Sequence, residues 1–339
     1  MKVFRILFLT LIFGMASPLV SIYVKAEKAS VPLTIEPIYP ENQNPQTKGY
    51  FDLSVNSSEA QTLQVRITNN EDKEVTISIK PANAYTNPNG GMLYEDELDS
   101  ADTVLLEDAV RLAEFIKVEE TVKVPPLTSV EVPIELTVPE LDGQHILGGI
   151  LFTTQGEETE TQQEAEEGTA NFILKTETVY AIALQLNIPN EVPDNFQYGE
   201  AGFIGETGSV FMEMSNDAKK IQEKIAGTYS VSDKDGNELF KGEYGPFKMA
   251  PKTKIRYPIQ WNDETLEDGD YTLNIKGTVD GKEVSTSKPF TINNKDVTEY
   301  VEKTQATQVK VDNGIPIWVW IIGAVLFGLV MFLIGKRRM

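Results

Sequence analysis

His145 is the single histidine of the chain, and three positions later Gly148 and Gly149 interrupt the apolar run QHILGGILF (Gln144–Phe152). A histidine beside paired glycines suggests a general base next to a bare-backbone cradle. The set is incomplete. The chain has no second histidine to share a metal, no cysteine to supply a thiolate, and no nucleophile elbow for a Ser-His-Asp triad. The stretch DKDGNE (Asp233–Glu238) opens like a calcium-binding EF-hand loop. Counted from Asp233, the twelfth position is Tyr244, where that loop needs glutamate, so the segment reads as a hairpin turn. YTNPNGGMLY (Tyr85–Tyr94) is the strongest ligand-loop candidate: Tyr85, Asn87, Asn89 and Tyr94 offer rings and amides to a sugar–peptide polymer. A long loop covering a sandwich edge has the same composition. Carboxylates are plentiful, but most lie in polar turns and runs, whereas a hydrolytic pair needs a cleft that splits its pKa values.

The elements around these residues are strands. LQVRITN (Leu63–Asn69), VTISIK (Val75–Lys80) and SVEVPIELTVP (from Ser129) alternate apolar and polar side chains, the period of a half-buried strand. QHILGGILF continues them as a last strand, in which glycines mark a close approach of backbone and His145 is a structural residue. DTVLLEDAVRLAEFI (Asp102–Ile116) has spacing that allows a helical turn or two. QGEETETQQEAEEGTAN (Gln155–Asn171), rich in glutamate and without lysine, cannot bury a core and reads as an acidic linker or loop. The β pattern resumes with FILKTETVYAIALQLNIP (Phe172–Pro189), and Asp-Gly in DKDGNE and in VDGKE (Val279–Glu283) marks two hairpins. Trp261 ends the strand TKIRYPIQW as a core residue. After Ile292 the chain is polar and reads as a stalk, spanning at most about 70 Å when extended.

The ends set the compartment. Residues 1–26 carry Lys2 and Arg5, an apolar run and small Ala26 before Glu27, the layout of a signal peptide. From Ile315 to Ile334 no residue is charged; at about 1.5 Å per residue this run crosses a membrane core of roughly 30 Å. Trp318 and Trp320 suit its outer interface, and Lys336, Arg337 and Arg338 stop it on the cytoplasmic side. The segments before Glu27 and after Gly335 each hold three basic and no acidic residues, so the portion between them carries all 51 acidic against 24 of the 30 basic residues, a net of −27. Such a surface repels nucleic acid and anionic wall polymers. An extracellular chain without cysteine has cores that hold without disulfides, which points to a bacterial, Gram-positive envelope rather than an animal surface.

IEPIYPENQNPQTKGYFDLSVNSSEAQTLQVRITNN (Ile35–Asn70), NAYTNPNGGMLYEDE (Asn83–Glu97) and HILGGILF (His145–Phe152), followed by NFILKTETVYAIALQL and a basic-tailed C-terminal span, resemble the WxL-interacting surface proteins of Gram-positive bacteria. The resemblance covers nearly the whole chain after residue 26 and rests on the order and spacing of segments rather than on a catalytic signature. It implies a peptidoglycan-binding first domain, a host-binding second domain, and partnership with secreted WxL-domain proteins, peptidoglycan and host extracellular proteins.

The expected chain is therefore mainly β: two immunoglobulin-like antiparallel β-sandwich domains in tandem plus one C-terminal transmembrane helix. Its parts are a signal peptide (1–26), a first sandwich (27–154), an acidic linker or loop (155–171), a second sandwich (172–292), a stalk (293–314), the membrane helix (315–335) and a tail (336–339). It is expected to be a single-pass membrane protein facing the cell wall, a non-enzymatic binding and scaffold protein with no cofactor and no nucleic-acid partner. The competing reading is a cell-wall-active envelope enzyme with paired carboxylates.

Overall fold

The computed structural model describes residues 32–155, 159–160, 173–174, 177–263 and 265–304. The expected signal peptide, membrane helix and tail, with Trp318, Trp320, Lys336, Arg337 and Arg338, lie outside these residues. The chain runs through β1 (Leu33–Ile38), β2 (Phe51–Ser54), β3 (Ala60–Asn69), β4 (Val75–Thr86), β5 (Met92–Glu95), β6 (Thr103–Leu105), β7 (Ile116–Val118), β8 (Thr121–Val124), β9 (Ser129–Thr137) and β10 (Gln144–Gln155). The short strands β11 (Thr159–Glu160) and β12 (Ile173–Leu174) pair with each other. Then come β13 (Glu177–Ile188), β14 (Phe196–Ile204), β15 (Ser209–Asn216), β16 (Gln222–Asp233), β17 (Glu238–Met249), β18 (Thr253–Gln260), β19 (Gly269–Val279), β20 (Lys282–Ile292) and helix α1 (Asn294–Thr304). Among the described residues no helix is long and apolar enough to cross a membrane.

Two sandwiches result. In the first, the sheet β1-β3-β9-β7 covers the sheet β2-β13-β10-β4-β5, with β8 also on β4; in the second, β14-β15-β18-β6 covers β17-β16-β19-β20. Alternation is the cause. Strand β3 turns Leu63, Val65 and Ile67 inward and β9 turns Val132, Ile134 and Leu136, while Gln64, Arg66, Glu131 and Glu135 face out. Phe51, Ile150, Phe152 and Leu184 complete that core, and Val210, Met212, Met214, Ile255 and Leu273 build the other. Each such side chain contributes roughly 1.5–3 kcal/mol on burial.

The sandwiches repeat one plan, β3, β4, β9, β10 and β13 corresponding to β15, β16, β18, β19 and β20. The likeness extends to single hydrogen bonds. Asn69 ends β3, accepts the Glu71 N–H at 2.9 Å and donates to the Lys73 carbonyl at 2.7 Å. Asn216 ends β15, accepts the Ala218 N–H at 3.2 Å and donates to the Lys220 carbonyl at 2.9 Å.

Strand pairing cuts across the expected boundary. Residues 177–188 do not open the second sandwich; they pair with β10 along its whole length and complete the first, because Ile182, Leu184, Leu186 and Ile188 alternate into its core. The acidic segment thus joins two strands of one hairpin, where the second sandwich has only Asp280-Gly281 between β19 and β20. Strand β6 crosses the other way and pairs with β18. Within Asp102–Ile116 the expected helical turns reduce to a single 3-10 turn, Leu112–Phe115. The expected stalk begins as packed structure: Asn293 accepts the N–H groups of Lys295 (3.1 Å) and Asp296 (3.2 Å), a helix N-cap, and Val297 enters the second core.

The glycine pair serves both faces of β10. A Cβ on Gly148 would stand 2.7 Å from the Ala82 carbonyl and 2.9 Å from Leu112 Cβ, inside the sandwich. One on Gly149, on the opposite face, would meet the Tyr94 ring at 3.0 Å. Gly148→Ala should therefore destabilise the protein by about 1–3 kcal/mol in urea unfolding, and more than Gly149→Ala, where the nearest atom belongs to a ring and the nearest backbone atom, the Ile182 carbonyl, stands farther off at 3.1 Å. Equal tolerance of both changes would show that the strand does not need its bare backbone.

Candidate functional site

The candidate loop Tyr85–Tyr94 lies at the joint between the sandwiches. It is the hairpin β4–β5, and Tyr85 is buried at its start, so its ring does not face solvent. Asn87 accepts the Asn89 N–H at 2.9 Å through its side chain and shapes the turn, leaving Asn89 exposed at the tip. Gly90, with φ +95°, leaves the space into which Phe247 of the second sandwich packs. Tyr94 covers Gly149; burial first, and the neighbouring Tyr50 second, push its hydroxyl up to about 12. The structure therefore buries Tyr85, sets Tyr94 over Gly149 as a packing residue, and leaves the asparagines at the turn.

The joint itself holds buried polar pairs. Thr86 and Thr253 are both buried, with hydroxyls 2.6 Å apart; the Ala250 N–H donates to Thr86 Oγ1 at 2.9 Å. Lys252, its side chain only 13% exposed, bridges Asp108 (2.7 Å) and Asp217 (2.6 Å). Burial alone would lower its ammonium, but the hydrogen bonds to these carboxylates outweigh that and raise it. The His145 N–H donates to the Lys219 carbonyl at 2.8 Å. Its Nδ1 is buried and has no hydrogen-bond partner among the described residues. Ala84, Leu147, Ile221 and Ala250 fill the remaining space.

A second polar cluster was not singled out from the sequence. Asp52, 6% exposed, accepts from Asn44 Nδ2 (2.8 Å), Thr47 Oγ1 (2.7 Å) and Asn187 Nδ2 (2.6 Å). It folds the loop YPENQNPQTKGY over the parallel pair β2–β13. At the rim of this loop Tyr39 is exposed and accepts the Gly49 N–H at 2.7 Å, with Lys48 over its ring. Glu36, Arg66 and Tyr39 border a groove of about 410 Å³. A ring beside neutral and charged hydrogen-bonding groups can stack and bond a sugar without net charge attraction.

Among the described residues, the carboxyl groups that depart from ordinary values do so downward: Asp108 through its Lys252 hydrogen bond, Glu206 through Lys303 and Asp233 through Asn237. Asp194 falls to about 2 through Lys220 and Lys282. Downward shifts keep carboxylates ionised, whereas a general acid needs one raised. In DKDGNE both Asp233 oxygens are used inside the hairpin, by the N–H groups of Asp235 and Asn237 and by Asn237 Nδ2. Among the described residues no group of three His, Cys, Asp or Glu could hold a metal ion. Trp261 packs edge-on against Phe203, Phe240 and Tyr271 in the second core.

Residues 33–154 match the family domain described as WxL Interacting Protein, peptidoglycan binding domain, and residues 169–302 match the WxL Interacting Protein, host binding domain. The second match begins before β13, although β13 lies in the first sandwich. No curated protein matches the chain. Similar solved structures include the CsuC–CsuE chaperone–tip adhesion subunit complex of Acinetobacter baumannii Csu pili, at 10% identity and TM-score 0.35 over 77% of this chain and 99% of that one. The chaperone–tip adhesin complex of CFA/I fimbriae aligns at 11% identity and TM-score 0.34 over 76% of this chain and 98% of that one. Overlap this loose supports no conclusion about function.

The joint makes His145 acid-sensitive. Burial, and secondarily Lys220, lower its pKa below the ordinary 6.5, so the folded protein resists a proton that the unfolded chain accepts. Its contribution is intact above 6.5 and is lost as pH falls below that value. His145→Gln should leave folding intact at neutral pH and lose less stability than the wild type between about pH 7 and 5.5. Urea unfolding at both pH values would show this; parallel losses in the two proteins would remove the role assigned to His145.

Proposed function

From the premise that this chain belongs to the WxL-interacting protein family, we propose that it is a non-enzymatic binding and scaffold protein of the Gram-positive cell surface. The observation that carries the reading is the match to two binding domains in tandem, together spanning most of the residues between 33 and 302. In this reading the first sandwich contacts peptidoglycan, and the second contacts host extracellular proteins. A signal peptide at 1–26 directs export, and the Ile315–Ile334 run holds the chain in the membrane with both sandwiches facing the wall. Secreted WxL-domain proteins are its protein partners.

A net charge of −27 on the exported portion opposes any mechanism in which an anionic wall polymer is captured by long-range attraction. Contact with peptidoglycan therefore relies on stacking and hydrogen bonds, for which the Tyr39 groove and the Asn87–Asn89 turn are the candidate surfaces. Contact with protein partners relies on apolar side chains and bare strand edges. The downward-shifted carboxylates lend the hydrolase alternative no support.

Titration of the exported portion against purified sacculi and against a secreted WxL protein, at 0.1 M and 1 M salt, tests this function. The screening length falls from about 10 Å to about 3 Å between those concentrations. Both ligands should bind, with affinities that change by less than about tenfold. A loss of roughly a hundredfold or more would show that charge dominates recognition, and the Glu157–Glu167 run would become the first place to look.

A further inference from the structure

The second sandwich shows how one end of this fold accepts a strand from elsewhere. Its turn Ala250–Thr253 lies beside β6, which runs antiparallel on β18 and sets Leu105, Val104 and Thr103 opposite Thr253, Lys254 and Ile255. The Leu106 N–H donates to the Lys252 carbonyl at 2.8 Å, and the Arg256 N–H donates to the Asp102 carbonyl at 2.9 Å.

The first sandwich carries the same turn 125 positions earlier. Lys123, Pro126, Thr128, Pro133 and Ile134 stand where the second has Lys248, Pro251, Thr253, Pro258 and Ile259. Leu127 and Lys252 share a left-handed φ of 53°. Their N–H groups donate to corresponding carbonyls, Glu71 at 3.0 Å and Ala218 at 3.2 Å. Thr128 and Thr253 each donate to the carbonyl three residues back, at 3.0 and 2.8 Å. What differs is the cover. Strand β7 meets β9 only at Ile134–Leu136, so among the described residues no strand lies opposite Thr128–Val132 on that side. Leu127 is 71% exposed, the most exposed large apolar side chain among the described residues.

We propose that this end of the first sandwich, Leu127–Val132, is the docking site for an edge strand of the secreted WxL-domain protein, laid antiparallel on β9 as β6 lies on β18. The inference rests on the partner reading above. Three observations select the occupant. The Leu127 carbonyl and the Glu131 N–H correspond to the two groups that bind β6, and an added strand is what satisfies them. Leucine stands where the covered turn has Lys252 with its Asp108 partner, so the incoming side chain is apolar rather than acidic. A second copy of the chain is a poor fit: in every copy the face that covers Ala250–Thr253 is already engaged with its own second sandwich, and the charge of −27 opposes self-association.

The test uses the full-length chain, a purified secreted WxL protein, and amide hydrogen exchange. Leu127→Lys places in this turn the residue its counterpart already holds at the same φ, so folding should be retained. Affinity should fall by roughly tenfold or more, as for a central apolar anchor, and the WxL protein should protect the Ser129 and Glu131 amides in the wild type. Binding by Leu127→Lys within about twofold of wild type would overturn the assignment. So would protection confined to another bare edge such as Glu177–Ala183, where Val179 is 56% exposed. Protection of Ser129 and Glu131 already present without partner would give the site to the chain's own flanking segments. Self-association that Leu127→Lys abolishes would give it to a second copy. Failure of the wild type to bind the WxL protein at all would overturn the partner reading and this inference together, which separates it from failure of the site alone.

Discussion

A β-sheet leaves main-chain donors and acceptors along its margins, and here each sandwich draws a strand from beyond the chain segment that builds most of it. The first is completed by β13, which arrives after the acidic segment; the second is extended by β6, which departs from the first. Backbone pairing enforces both exchanges, and alternating burial adds to it for β13. Removing β13 would expose Ile150, Phe152 and the β10 backbone together, and neither loss could be recovered locally. The buried Thr86–Thr253 pair lies where β6 reaches β18, so the joint and the second sheet are parts of one arrangement.

That arrangement accounts for where function has room to lie. The joint uses Tyr94 as a packing residue and Lys252 as a pairing residue. The Asp52 cluster likewise spends a buried carboxylate on three donors that shape one loop. What remains accessible is ring, amide and bare strand edge, the means of a binding protein. Repulsion among the carboxylates keeps such a surface soluble and selects partners that do not depend on charge.

Much of the fold was legible in the sequence, because alternation is a local signal. Leu63–Ile67 and Val132–Leu136 reveal their inner faces by period two, and Asp280-Gly281 reveals its hairpin. The acidic segment reads as a linker or loop because composition reports only that it cannot bury; which of the two it is depends on a pairing between Gln155 and Glu177 that no local pattern encodes. Tyr85 and Tyr94 carry the composition of a ligand loop, and only the folded structure decides that Tyr85 is buried and that Tyr94 packs against the cluster holding Ile221 and Ala250 of the second sandwich. Asp52 gave no signal, since one of its donors, Asn187, lies 135 residues away. The repeat of lysine, proline and threonine around Leu127 and Lys252 was visible in the letters, but as scattered identities at a long offset it gains meaning only once both turns are seen to make the same hydrogen bonds.

Interlocking by exchanged strands is tested most directly by cutting the chain in the acidic segment. Residues 27–155 and 172–304, produced together as separate polypeptides, should copurify as a one-to-one complex that unfolds cooperatively, and each alone should lack a cooperative transition. If each half instead folds by itself as a stable monomer and the two do not associate, β13 does not complete the first sandwich and the two sandwiches are independent domains.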